Sequence, residues 1–234
     1  MNQSVINDYF LPQDSQLSEF QRSVKKAIIY IQSNWKKNSQ KEGISGSTET
    51  IYFKDKKIMT SSSPAYSHCS GACFEAFIRS WSNWLGDLYE SEDDMSFSKM
   101  KELYDWFFLL KYPAEGVSED MLRKGGAGGL LTLNDVFEDI RVESIEDPRN
   151  ARFGDFCQIE SGYGFGEGHA ITILGTGTYK SRDVIYAWSS NVNYDQEWEF
   201  SNGQVDRHGV DYFFINKTYS SGFKRKFNIS RIVD

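Results

Sequence analysis

This 234-residue chain holds three cysteines and three histidines, and one of each stands where a nucleophile and its base are expected. Cys69 lies in Ser67-His68-Cys69-Ser70-Gly71-Ala72-Cys73-Phe74-Glu75-Ala76-Phe77, where small polar residues give way to a helical apolar pattern. Ala72, Cys73, Ala76, Phe77, Trp81, Trp84, Leu85 and Leu88 recur at three- and four-residue steps, one buried face of an amphipathic helix. Cys69 therefore falls at or just before the first turn. Unpaired N–H groups and the positive end of the helix dipole there favour the thiolate, the nucleophilic form of the side chain. His169 opens an apolar run, Gly168 to Gly175, directly after a glycine-rich stretch, and is the candidate base. His68 adjoins Cys69 in sequence, but neighbours at a loop-to-helix junction rarely point at each other. His208, in Asp206-Arg207-His208-Gly209, reads as an exposed turn residue.

An imidazole that acts as a base needs a third group to orient it. If Gly175 pairs with Asp183 about a turn containing Gly177, His169 faces Ser189 on the next strand. Period-two alternation then puts Ser189 and Asn191 on the face of His169 and Ser190 on the other. Asn191, whose amide oxygen can accept from a ring N–H, is chosen over Ser189, with Asp195 as fallback. Cys73 and Cys157 read as small buried hydrophobes. Cys69, Cys73, Cys157 and His169 could also make a three-sulfur zinc set, but zinc knuckles space their cysteines by two to four in a turn rather than on a helix. No cofactor or metal is expected.

These residues need elements to hold them. Leu17, Phe20, Val24, Ala27, Ile28, Ile31 and Trp35 mark a first amphipathic helix, followed by a polar Gly/Ser-rich stretch from Asn38 to Thr50. Ile51-Tyr52-Phe53 and Lys57-Ile58-Met59 suggest a small hairpin. After the cysteine helix come an acidic loop, Glu90 to Asp94, and a helix carrying Met100, Leu103, Trp106, Phe107 and Leu110, ended by Pro113. The glycine cluster Gly125 to Gly129 fits neither phosphate-binding pattern and reads as a loop. Thr132 or Asn134 could cap a short helix through Val136 and Phe137. From Arg152 the period becomes two, with strands at Phe156 to Ile159, Ala170 to Leu174, Val184 to Trp188, Val210 to Ile215 and Phe227 to Val233. Helices first and an antiparallel meander after them give an α+β fold. The expected division is an N-terminal helical extension, 1–50, and a main domain, 51–234.

Composition narrows the function. A net charge of −7 argues against a nucleic-acid partner, and the longest basic run, Phe223-Lys224-Arg225-Lys226, is expected on a solvated face. No apolar stretch is long enough for a membrane span. Met1 to Leu11 lacks the basic-then-apolar order of a secretory signal, and three unevenly spaced cysteines are no disulfide framework. The chain reads as made in a reducing, cytoplasmic compartment.

Cys69-Ser70-Gly71 opening a helix, Gly154-Asp155-Phe156 leading one strand and Gly168-His169 leading a second resemble the NlpC/P60 group of papain-like cysteine peptidases and amidases. The resemblance runs from about Tyr66 to Asn191. It implies a nucleophile helix packed on an antiparallel sheet that carries the base, and hydrolysis of an amide bond in peptidoglycan or another peptide by Cys69 and His169; Asn191, the third member, is assigned by strand register alone. Cys73-Phe74-Glu75-Ala76-Phe77 echoes the Cys-Trp-Ala-Phe run of papain-like enzymes, which keeps Cys73 as reserve nucleophile. The chain departs from the group where His68 replaces a common aspartate and where a long segment precedes Gly154. A wall hydrolase without a signal would be exported by another route or delivered as a toxin, and a toxin would need a cognate inhibitor. The alternatives are a silent papain-like module binding through Tyr163, Phe165 and Trp188, and a protein-modifying acyltransferase or deamidase.

Overall fold

The computed structural model describes residues 11–34, 49–53, 56–60, 69–85, 98, 101, 103, 130, 133, 134, 141–160, 169–188, 210–219, 222 and 224–234. Among these the regular elements are two α-helices, α1 (Glu19–Asn34) and α2 (Cys69–Leu85), two short 3-10 helices (Asp14–Gln16 and Pro148–Asn150), and eight strands in two antiparallel sheets. The class is α+β.

The α1 helix begins where its sequence can satisfy its own free N–H groups. Ser18 and Gln21 form a reciprocal cap: Gln21 N donates to Ser18 Oγ (3.3 Å) and Ser18 N donates to Gln21 Oε1 (3.1 Å). Phe20 N donates to the Asp234 side chain at 2.6 Å, so the C-terminal residue supplies negative charge at the positive end of α1. Phe20, Val24, Ala27, Ile28 and Ile31 are buried, as their spacing requires. The α2 helix is apolar on almost every side. Besides the expected face, Phe74, Glu75, Ile78 and Ser80 are buried too, the pattern of a helix enclosed by the rest of the molecule.

The hairpin expected after residue 50 is present as β1 (Ile51–Phe53) and β2 (Lys56–Met59). The main sheet contains β3 (Arg141–Ser144), β4 (Phe156–Glu160), β5 (His169–Tyr179), β6 (Arg182–Trp188), β7 (Val210–Phe214) and β8 (Lys226–Val233), in the order β3-β8-β4-β5-β6-β7. The meander holds from β4 to β7. The last strand leaves it: β8 returns between β3 and β4 rather than extending the far edge. β3 was not foreseen, because Arg-Val-Glu-Ser carries only one apolar residue. Its free edge is met by Asn134, whose amide donates to Val142 O (2.8 Å) and accepts from Val142 N (2.7 Å), as a neighbouring strand would. Asn134 thus blocks a sheet edge, while Thr132, Val136 and Phe137, where a short helix was expected, lie outside the described residues.

Alternation sorts the sheet into two faces. Val142, Phe156, Ala170, Leu174, Trp188 and Ile232 join α1 and α2 in one core, with Leu103, Leu130 and Leu133. Cys157, Ile159, Ile171, Ile173, Ile185, Ala187, Phe213 and Ile229 form a second core on the opposite face. The α1 helix packs within the first core and Trp188 Nε1 donates to Gln32 Oε1 at 2.9 Å, so the boundary expected at residue 50 does not divide the core. The basic run also differs from expectation. Lys224 and Lys226 are exposed, but Arg225 is buried, because its guanidinium lies against Phe213 and Tyr219.

The β5–β6 register corrects the pairing of Gly175 with Asp183. Asp183 pairs with Thr178 and Gly175 with Tyr186, and an irregularity between Ile173 and Gly175 leaves Thr172 opposite Trp188. The turn is Lys180-Ser181, both at positive φ (49° and 62°), beyond the glycine that suggested it. Gly177 serves packing instead: a Cβ there would sit 2.9 Å from Tyr186 Cε2. Gly177→Ala should therefore cost about 1–3 kcal/mol of unfolding free energy. Most of that loss should vanish when Tyr186 is shortened to Leu. A double-mutant cycle by denaturant unfolding measures it, and additive effects would refute the close contact.

Candidate active site

Cys69 is the first residue of α2, 3% exposed, and the first turn of that helix carries no acidic side chain to oppose a thiolate. One turn further on, Cys73 is fully enclosed, and Thr172 Oγ1 lies 3.9 Å from its sulfur. Burial pushes the Cys73 thiol far up, against the pull of the Thr172 hydroxyl, and the neighbouring Cys69 sulfur adds to the rise. Burial of this kind disfavours the thiolate and weighs against Cys73 as reserve nucleophile. Burial also holds the Cys157 thiol well above its ordinary value, with Cys73 and Asp155 contributing, as befits a core thiol within β4.

His169 is the first residue of β5, pairs with Ile159, and is 4% exposed. It belongs to the odd-numbered set of β5, with Ile171 and Ile173, whereas Ala170 and Leu174 pack in the helix-side core and Thr172 meets Cys73. Its ring lies 5.6 Å from that of Phe213, tilted by 45°. The imidazole therefore starts from the face away from α2. Because His169 is a terminal strand residue, its side chain stands at an end of β5 rather than in the middle of the sheet.

The course of α2 is marked by its contacts. Trp84 meets Phe20 (5.2 Å between ring centres), and Gln21, the next residue of α1, donates from Nε2 to Phe153 O at 2.7 Å, just before β4. Phe77 stands edge-on to Phe156 at 5.8 Å, and Cys73 is against Thr172 on β5. Followed back toward its start, α2 thus passes from the beginning of β4 to β5. One further turn, about 6 Å, carries it to Cys69. The two elements required by the sequence, a cysteine helix and a histidine strand, are in direct contact.

Asp155, in the Gly-Asp-Phe stretch that leads β4, is structural. Arg231 of β8 donates to it twice, Nε to Oδ1 at 2.9 Å and Nη2 to Oδ2 at 2.8 Å, and Arg152 N adds 2.8 Å. Burial nevertheless pushes the Asp155 carboxyl up, with the Arg231 guanidinium opposing. Gly154 precedes it at φ 87°, where a Cβ would press on Gln21 at 3.2 Å. The glycine lets α1 approach the sheet.

Asn191, Ser189, Ser190, Asp195, His68, His208, Tyr163 and Phe165 lie outside the described residues. Trp188 does not: it is wholly buried beneath α1, so it cannot form part of an aromatic binding surface. Among the described residues no three His, Cys, Asp or Glu side chains stand close enough to hold a metal ion, so Cys69, Cys73, Cys157 and His169 do not assemble as a zinc set. No described helix is long and apolar enough to cross a membrane. Sequence reasoning missed Phe213 and Thr172. Period two marked them only as strand residues, and nothing local tells which ring or sulfur they meet. Comparisons with protein-family models, curated proteins and solved structures gave no match.

Proposed function

We propose that this chain is a cysteine-nucleophile hydrolase of papain-like, NlpC/P60-like build that cleaves an amide bond, with peptidoglycan as its substrate. The supporting observation is the Cys73–Thr172 contact. It fixes α2 against β5 with Cys69 one turn toward the helix start and His169 three residues toward the strand start. This reading requires the His169 ring, which packs against Phe213 on the opposite face, to pass round the end of β5 to reach the sulfur.

In the reaction, the Cys69 thiol proton passes to His169 and the sulfur attacks the amide carbonyl carbon. Backbone N–H groups at the start of α2 stabilise the oxyanion. The C–N bond breaks as the imidazolium gives its proton to the leaving amine, which leaves a thioester. Water, deprotonated by His169, attacks the thioester carbonyl, and the sulfur leaves and regains its proton from the imidazolium. Asn191 is the proposed orienting group. An acceptor amine in place of water would make the same intermediate an acyltransferase, the outcome that product analysis separates.

Iodoacetamide tests the activated thiol directly. At mildly acidic pH, well below the reference thiol value of about 8.5, Cys69 should alkylate ahead of Cys73 and Cys157. Peptide mapping after brief exposure reads the order. Preferential labelling of Cys73 would move the nucleophile four residues along, and equal inertness of all three would leave no activated thiol. Incubation with purified sacculi, with released fragments read by mass, tests the substrate.

A further inference from the structure

The strongest contact that the proposed reaction leaves unused is the one on the far side of the base. Phe213, in β7, is 1% exposed and belongs to the core opposite the helices. Its ring lies 5.6 Å from the His169 ring. The Arg225 guanidinium also lies against Phe213, 5.4 Å from the ring centre, and is itself only 6% exposed. Arg225 is fixed in turn: Nε donates to Tyr219 Oη at 3.0 Å, Nη1 donates to Phe214 O at 3.3 Å, and its backbone N donates to Lys217 O at 2.9 Å. Lys217 and Tyr219 follow β7, and Arg225 precedes β8. The chain between the two strands thus folds back to anchor a cation on an aromatic ring, an attractive arrangement when desolvated.

A base that must pass round the end of its strand is poorly fixed by its own backbone. Rotation about χ1 and χ2 can carry the imidazole toward α2 or away from it, and an aromatic wall on the far side limits the retreat. We propose that Phe213, fixed in place by Arg225, is a positioning residue for His169: its ring limits how far the imidazole can turn into the core opposite the helices. This rests on the reading of His169 as the base of Cys69. It adds a requirement for a ring at position 213 that a generic core position would not have.

Alkylation of Cys69 provides a readout that needs no identified substrate. Phe213→Met conserves volume but removes the ring, and Phe213→Tyr keeps the ring. At pH about 6, Phe213→Met should label Cys69 roughly three- to tenfold more slowly than the unaltered protein, while Phe213→Tyr should match it. Cys73 and Cys157 should stay unlabelled in both. Equal rates in the Met and Tyr variants, fast or slow, would overturn the positioning role, since a core defect has no preference for a ring. His169→Ala is the control for the underlying reading. If it leaves Cys69 labelling unchanged, His169 is not the base, and both readings fall together. A folding failure of the Met variant would show as labelling of all three cysteines. The unaltered protein then decides by proton NMR. The His169 ring protons, assigned by their loss in His169→Ala, should be displaced by the Phe213 ring current, and resonances at free-histidine positions would overturn the proposal.

Discussion

Cys69→Ala should abolish release of fragments from sacculi, a loss on the order of 10⁴-fold or more, because no other described thiol can replace the sulfur. Cys73 is one turn away but is held protonated by burial, and Cys157 is in the middle of a strand. His169→Ala should fall nearly as far. The double variant should fall no further than either alone, since nucleophile and base act as one unit and their losses do not add. Asn191→Ala should lose only about tenfold to a hundredfold, as when an orienting partner is removed, and Ser190→Ala should be near neutral. Fragment masses from each variant, with the melting transition as a control for folding, make the comparison. Full activity in Cys69→Ala would end the catalytic reading. Activity that survives His169→Ala but not Cys69→Ala would instead require another base.

The largest stability effect should come from the aspartate of the Gly154-Asp155-Phe156 stretch. Asp155 is 1% exposed and its partner Arg231 16% exposed at the side chain, with two charge-assisted hydrogen bonds joining β4's approach to β8. Asp155→Ala leaves the guanidinium without its partner and should cost about 3–5 kcal/mol. The pair is not a strong stabiliser for all that. Burial raises the Asp155 carboxyl above its free value, so its ionisation works against folding, and its contribution declines as pH rises through the range where a free aspartate ionises. Asp155→Leu with Arg231→Met should therefore recover most of the loss. Urea unfolding of the single and double variants decides. A single variant within about 1 kcal/mol of the parent would show that the pair does not carry this connection.

The elements were legible where a single period ran long enough to be unambiguous. Three- and four-residue spacing from Phe20 to Ile31 and from Ala72 to Trp81 marked α1 and α2, and Cys69 proved to be the first residue of α2. Period two marked five of the six strands of the main sheet, and His169 begins its strand as Gly168-His169 suggested. These features are local, set by which side chains a helix or strand turns toward the same side. The missed strand, Arg141–Ser144, has one buried apolar residue, and it is a strand because β8 supplies its partner.

What tertiary structure alone decided depends on contacts between segments far apart in sequence. Gly177 looked like a turn residue, yet it is empty space for the Tyr186 ring, and the true turn uses two non-glycine residues at positive φ. That difference changes the β5–β6 register from which Asn191 is selected as candidate orienting group. The partner of Cys73 was likewise undecided, because it lies ninety-nine residues away: Thr172 Oγ1 stands 3.9 Å from that sulfur. The sequence by itself determined that a cysteine helix and a histidine strand exist. Only the packing of α2 on β5, and of Phe213 behind His169, decided where the two side chains stand, because burial and aromatic contact are properties of the assembled core and of no single stretch of chain.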